Sequence, residues 1–252
     1  MMKHFLKEFW LGITTYPQAI DFIKKHKLNT YLVLPAIFSA LIFTILALVS
    51  YLYIGELTAY LDRLLHRTSL EGFWYRIAQW IVNTLVWLFV GFAYLKLYRY
   101  LILILLSPFL GLIASKVQDI LHQQEVPFDL GQLLKDVLRG ILISLRNLVW
   151  ELLFTSILMF LSLVVPFLSP FTVVMILLVE SYYVGFSMID YRNEYKKIPF
   201  RQSILIVRSH RGFAIANGLA FNFLVLIPII GVLFAPMLSA VAAGIGIHKI
   251  EH

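Results

Sequence analysis

Apolar residues dominate four long stretches of the chain, and each predicts helix in a membrane. Tyr31–Ile54 is 24 residues without a charge. At ~1.5 Å per residue, a helix of that length exceeds the ~30 Å hydrocarbon core of a bilayer. It is also too long, and begins too late, for a signal-peptide core. A second span starts near Ile77, runs through Trp80, Trp87 and Tyr94, and reaches Leu106 before Ser107-Pro108-Phe109. Lys96 and Arg99 fall near its exit, where they would snorkel or line a protein interior.

The other two stretches are cut by proline. Leu148–Ile189 is interrupted by Pro166 and Pro170, and Phe213–Ile247 by Pro228 and Pro236. Neither break carries a charge, whereas a water-exposed loop normally carries polar residues. Both pairs are therefore expected to double back inside or at the edge of the bilayer. Length argues most for the second pair, whose arms 213–227 and 232–247 would reach only about 22 and 24 Å. The first pair, 148–165 and 171–189, sits near the minimum for a full crossing.

The remaining segments read as interfacial. Phe5, Leu6, Phe9, Trp10 and Ile13 recur at helical spacing in residues 1–30, with Lys3 and Lys7 on another face. That is the pattern of a helix lying on a membrane surface. In 111–147, Leu112, Val117, Ile120 and Leu121 oppose Lys116, Gln118, Asp119 and Gln123, and Val126-Pro127-Phe128-Asp129 divides two cytoplasmic helices. A polar connector, 190–211, joins the hairpins 148–189 and 213–247. The fold expected is a single all-α integral membrane domain: spans 31–54 and 77–106, two half-inserted hairpins, and amphipathic interfacial helices.

Composition strengthens this reading. The chain is 60% hydrophobic and 14% charged, against about 45–50% and 25% for soluble domains. Its mean hydropathy is +0.84. The absence of cysteine excludes disulfides, thiolate metal sites and cysteine nucleophiles. The net charge is +7. Five Lys lie in 1–30, and six Lys or Arg lie in each of 95–147 and 190–211, while 55–76 balances three Arg against three acids. The positive-inside rule then places both termini, 95–147 and 190–211 in the cytoplasm. Attraction to anionic lipid and attraction to an anionic substrate both fit this excess. Nucleic acid does not, because no basic run accompanies a soluble reading fold.

Few residues offer chemistry. Glu180 is an acid deep in an apolar run, a position that costs roughly 2.5–3.5 kcal/mol on insertion scales. It reads as a structural hydrogen bond, as a proton-coupling group or, with Asn217 and Asn222, as a pore-lining candidate turned inward. Glu151, nearer its helix start, is expected at the interface. Asn217 and Asn222 read as helix–helix hydrogen bonds or as pore lining. Gly231, Ala235, Ser239 and Ala243 recur every fourth residue, with Ala214 and Gly218 on the opposing arm. This pattern predicts close packing in a tight hairpin or a subunit contact. Arg208 and Arg211, at the entrance to the second hairpin, would attract anions or anchor to headgroups. No His-Glu-x-x-His pair, P-loop or nucleophile constellation appears. The chain is read as a non-enzyme without a cofactor or metal, and without ATP hydrolysis of its own.

Several motifs resemble one membrane family. Asp190-Tyr191 followed by Lys197-Ile198-Pro199-Phe200, Leu106-Ser107-Pro108-Phe109-Leu110-Gly111-Leu112, Leu34-Pro35, and Ile227-Pro228 with Ala235-Pro236 stand in the order and spacing of CysZ-type sulfate permeases, which are grouped with the etoposide-induced membrane proteins. The resemblance covers nearly the whole chain. It implies two long transmembrane helices, two partly crossing hairpins, a homo-oligomer in the inner membrane, and sulfate uptake without ATP. It also implies an anion site at the family's Gly-Leu-Arg-Arg stretch, which aligns here with Lys27-Leu28-Asn29-Thr30. Neither arginine is present, and Lys27 supplies the cation. An alternative function is a non-transporting protein that organises membrane or handles lipid, since half-inserted hairpins load one leaflet unevenly.

Overall fold

The computed structural model describes residues 2–66, 72–124, 130–227 and 230–251. The Val126–Asp129 break and Pro228 lie outside them. The described residues are helical almost throughout: α1 Met2–Lys25, α2 Asn29–Leu65, α3 Gly72–Leu105, α4 Ser107–His122, α5 Leu130–Val164, α6 Ser169–Tyr195, α7 Phe200–Ser209, α8 Arg211–Val225 and α9 Ile230–Glu251. Five helical stretches are long and apolar enough to cross a membrane: 29–65, 72–105, 138–164, 166–195 and 233–251. The chain is an all-α integral membrane protein.

It divides into two compact units, 40–101 and the remainder. In 40–101, parts of α2 and α3 meet through aromatic contacts. Tyr94 donates to the Phe43 carbonyl at 3.1 Å, and the Phe43 ring meets Tyr94 and Tyr98 edge-on. Near the far ends of these helices, Asp62 accepts from Tyr75 at 2.6 Å and from Gln79 at 2.9 Å. Between these contacts, large apolar side chains such as Leu52, Trp80 and Trp87 face outward. That exposure is what a lipid-facing helix pair requires.

In the other unit α6 is the centre. Its first half exposes Phe171, Val173 and Met175, but Tyr183–Glu194 is buried without a gap. Helices α4, α5, α8 and α9 surround it, and α1 packs on α8 and α9. The tightest crossing is between α6 and α8. A Cβ on Gly185 would overlap the Ala214 carbonyl, and one on Gly218 would overlap the Ser181 carbonyl. Ala214 and Gly218 therefore serve the α6–α8 contact rather than a seam within the second hairpin. The partners on α6, Ser181 and Gly185, are themselves four residues apart.

Three sequence boundaries shift. Helix α5 runs unbroken from Leu130 to Val164, so the second cytoplasmic helix and the first hairpin arm are one element. The apolar stretches of the first pair are thus long enough for full crossings. In the second pair α9, 22 residues with the apolar stretch 233–251, is also long enough, contrary to the length expected for 232–247, and only α8 is short at 15 residues. The polar side of α4 is not a solvated face. Gln118 and Asp119 are buried, with Gln118 donating to the Gly244 carbonyl at 3.4 Å and Tyr195 donating to Asp119 at 2.9 Å. Nor does Glu151 reach an interface, because it is completely buried on α5.

The crossing makes a direct prediction. Gly185→Ala is expected to lower stability by about 1–3 kcal/mol, the usual range for overpacking. Gly111→Ala, whose added Cβ meets nothing within 4 Å, is expected to leave it unchanged or raise it. Thermal unfolding of both variants in the same detergent checks this, and equal midpoints would contradict the crossing.

Candidate anion site and its buried polar frame

The predicted anion stretch forms the joint between α1 and α2. Lys27 adopts the left-handed conformation, with φ +53°. The Lys27 amide bonds the Lys24 carbonyl at 3.3 Å and the Leu28 amide bonds the Ile23 carbonyl at 3.0 Å. Leu28 and Ile23 are both buried. These are the two bonds and the apolar contact that define a Schellman stop. Lys27 thus occupies the position that glycine fills most easily. Asn29 and Thr30 open α2 and are exposed. Neither makes a side-chain hydrogen bond among the described residues, so backbone closes this joint. Lys27→Gly is expected to stabilise by about 1 kcal/mol, by relieving the left-handed cost of a side chain. A thermal midpoint no higher than wild type would count against it.

The Asp190-Tyr191…Lys197-Ile198-Pro199 motif is a structural clamp. Arg139 of α5 donates to the Asp190 carboxylate at 2.9 Å and also to the Ile198 carbonyl. Ser203 of α7 donates to the same carboxylate and accepts from Asn193 at 2.9 Å. Tyr191 donates to the Leu103 carbonyl at 2.9 Å. Lys197, at φ +53°, closes α6 with another Schellman pair, in which the Lys197 amide bonds the Glu194 carbonyl and the Ile198 amide bonds the Asn193 carbonyl. Nearby, the fully buried Arg192 pairs with Glu251 of α9, which also takes Lys196 at 2.7 Å. Asp190→Ala would strand Arg139 in a largely buried place. It is expected to cost about 3–5 kcal/mol, and a double-mutant cycle with Arg139→Met isolates the coupling. An additive cycle would overturn the clamp.

The second hairpin's polar residues are also tied into the frame. Asn217 is fully buried, donates to the Ser239 carbonyl at 3.2 Å and accepts from the Ser239 hydroxyl at 2.8 Å. Its backbone carbonyl accepts from Tyr16 of α1 at 2.7 Å. Complete burial pushes the Tyr16 phenol well above its ordinary pKa, so it remains a donor. Asn222 donates to Ser181 at 3.1 Å, while its amide oxygen is buried without a partner among the described residues. The helix-bonding reading describes Asn217 fully and Asn222 by half.

Cations gather where α5, α7 and α8 approach α6. Arg208, Arg146 and Arg211 all lie in the neighbourhood of Tyr182 on α6. The Arg146 guanidinium bonds Asn147 at 3.0 Å and lies 5.4 Å from the centre of the Phe186 ring. Arg208 and Arg211 are exposed and make no ion pair among the described residues. They flank His210, the joint between α7 and α8, and His210 Nδ1 lies 2.6 Å from the buried carboxylate of Glu8 on α1. The joint is therefore held while its arginines remain open.

Behind this cluster lies a buried polar line on α5: Ser144, Asn147, Glu151 and Thr155. Asn147 donates to Ser187 of α6 at 3.1 Å, and the Glu151 charge reaches Tyr183. Glu180 of α6 is buried too. Lys27 and the arginine cluster belong to different joints, and no single described pocket gathers both. The sequence missed Arg146 and the α5 line, although Asn147, Glu151 and Thr155 share a four-residue spacing.

An all-helical membrane bundle with charged clamps at its helix joints is the class that this architecture defines. The chain belongs to the family described as sulfate transporter CysZ/etoposide-induced protein 2.4, whose model matches residues 16–236. No curated protein matches it.

Proposed function

We propose that this chain is a permease or channel for a small inorganic anion, with sulfate the first candidate, working without ATP hydrolysis and without enzymatic chemistry. The observation that carries the reading is the set of guanidinium groups at one place. Arg208 and Arg211 are exposed and make no ion pair among the described residues, and Arg146 of α5 shares with them the surroundings of Tyr182 on α6. Open arginines raise the local concentration of anions and match the geometry of an oxyanion. Family membership supports sulfate in particular.

The first hairpin's turn supports an apolar setting for its tip. Phe167 is 82% exposed there. The polar groups of the turn satisfy one another, with Ser162 bonding Ser169 at 2.8 Å and Ser169 bonding the Pro166 carbonyl at 2.6 Å. Such a tip suits lipid better than water. In this proposal the protein is a homo-oligomer of the inner membrane with both termini cytoplasmic, the second hairpin half-inserted, and no nucleic acid partner.

Radiolabelled sulfate uptake into proteoliposomes tests it. Uptake is expected above that of empty vesicles. Arg208→Gln with Arg211→Gln is expected to lower the initial rate about tenfold and to weaken its salt dependence, as loss of electrostatic steering does. Uptake equal to empty vesicles across sulfate concentrations would overturn the proposal.

A further inference from the structure

A cleft of about 360 Å³ opens between the start of α1 and the end of α9. Neither the cluster's arginines nor the residues of the Lys27 joint line it, although Glu8 in its lining bonds His210, which stands between Arg208 and Arg211. His4 and Lys7 of α1 and Lys249 of α9 line it together with the apolar Trp10, Leu11 and Ile250. The charges are unevenly compensated. Glu8 also borders the cleft, but its carboxylate is buried and engaged by His210 at 2.6 Å and His4 at 3.4 Å. Lys249 bonds a neutral acceptor, the Gln18 amide oxygen. Lys7 makes no ion pair among the described residues. The cleft therefore carries net positive charge.

The apolar side does not end at the cleft. Trp10 is 67% exposed and Leu6 58%, and Ile13 and Ile20 extend the same outer stripe of α1. The opposite stripe, Glu8, Gly12, Thr15, Tyr16, Ala19 and Ile23, is the one buried against the bundle. Helix α1 thus shows greasy side chains to the outside directly beside two ammonium groups. A free inorganic anion would use the cations and gain nothing from the indole. An amphiphile with a phosphate and acyl chains uses both.

We propose that this cleft is a binding site for an anionic phospholipid, with Lys7 and Lys249 holding the phosphate and Trp10, Leu11 and Ile250 lying along the upper acyl chains. Bridging α1 to α9 this way would fasten the first helix to the last at the membrane surface.

The test uses the full chain purified in a neutral detergent. Phosphatidylglycerol and phosphatidylcholine of identical acyl chains are titrated in, and retained lipid is counted by native mass spectrometry beside the thermal midpoint. Preferential retention of phosphatidylglycerol is expected. Lys7→Gln and Lys249→Gln should each weaken it roughly fivefold, as loss of one interfacial charge does. Trp10→Ser should weaken retention of both lipids, and Lys25→Gln, on α1 but outside the cleft, should change neither. Equal retention of the two lipids would overturn the proposal, as would a Lys25→Gln loss matching that of Lys7→Gln. So would protection by soluble glycerol phosphate or sulfate at the concentrations where lipid protects, because the site would then take a free oxyanion. The readout is lipid retention rather than flux, so failure here leaves the anion reading standing.

Discussion

The backbone crossing of α6 and α8 is the contact on which the larger unit depends. With no side chain at Gly185 or Gly218, the two helices approach until the carbonyls of Ala214 and Ser181 fill the space a Cβ would need. Between lipid-solvated helices, apolar burial gives little net drive, and close packing with interhelical hydrogen bonds must supply the association. The crossing brings Ser181 within reach of Asn222. It also helps bury the second half of α6 on every side. A helix enclosed in that way draws on internal partners for its polar groups, and here Asp190 is held by Arg139 and Ser203 and Arg192 by Glu251.

That division of labour separates structure from function. The charges on buried faces are committed: Asp190 to Arg139, Arg192 to Glu251, Glu8 to His210. Arg208 and Arg211 hold no such partner among the described residues. Removing a committed charge is expected to damage folding, whereas removing an open one changes the field at the surface. The family's motif therefore marks the scaffold. Asp190-Tyr191 and Lys197-Ile198-Pro199 fix the end of α6 against the end of α3, α5 and α7.

The sequence revealed the helical class and both long spans, because stretches of more than twenty apolar residues have few other solutions. It also pointed to the α9 small-residue stripe. It assigned the wrong neighbour to Ala214 and Gly218, since a four-residue spacing reveals a smooth face but not which helix meets it. Gln118, Asp119 and Glu151 were placed in water or at an interface because polarity alone predicts exposure. Gln118 meets α9 and Asp119 meets α6, both distant in sequence, so their burial could not be read locally. Lys27 and Lys197 were read as charges, whereas both close a helix in the left-handed conformation, where glycine is the usual signal. At the candidate site Arg208 and Arg211 were legible as entrance cations. Arg146 was not, because its place beside Tyr182 depends on the pairing of α5 with α6.

Anion selectivity separates this electrostatic reading from a merely leaky bundle. Vesicles containing the reconstituted chain and loaded with both labelled sulfate and labelled rubidium would report the two permeabilities together. Open arginines with no ion-pair partner among the described residues predict that sulfate leaves well ahead of rubidium, and that the difference shrinks as ionic strength rises. Rubidium leaving as fast as sulfate or faster, at low salt, would contradict it.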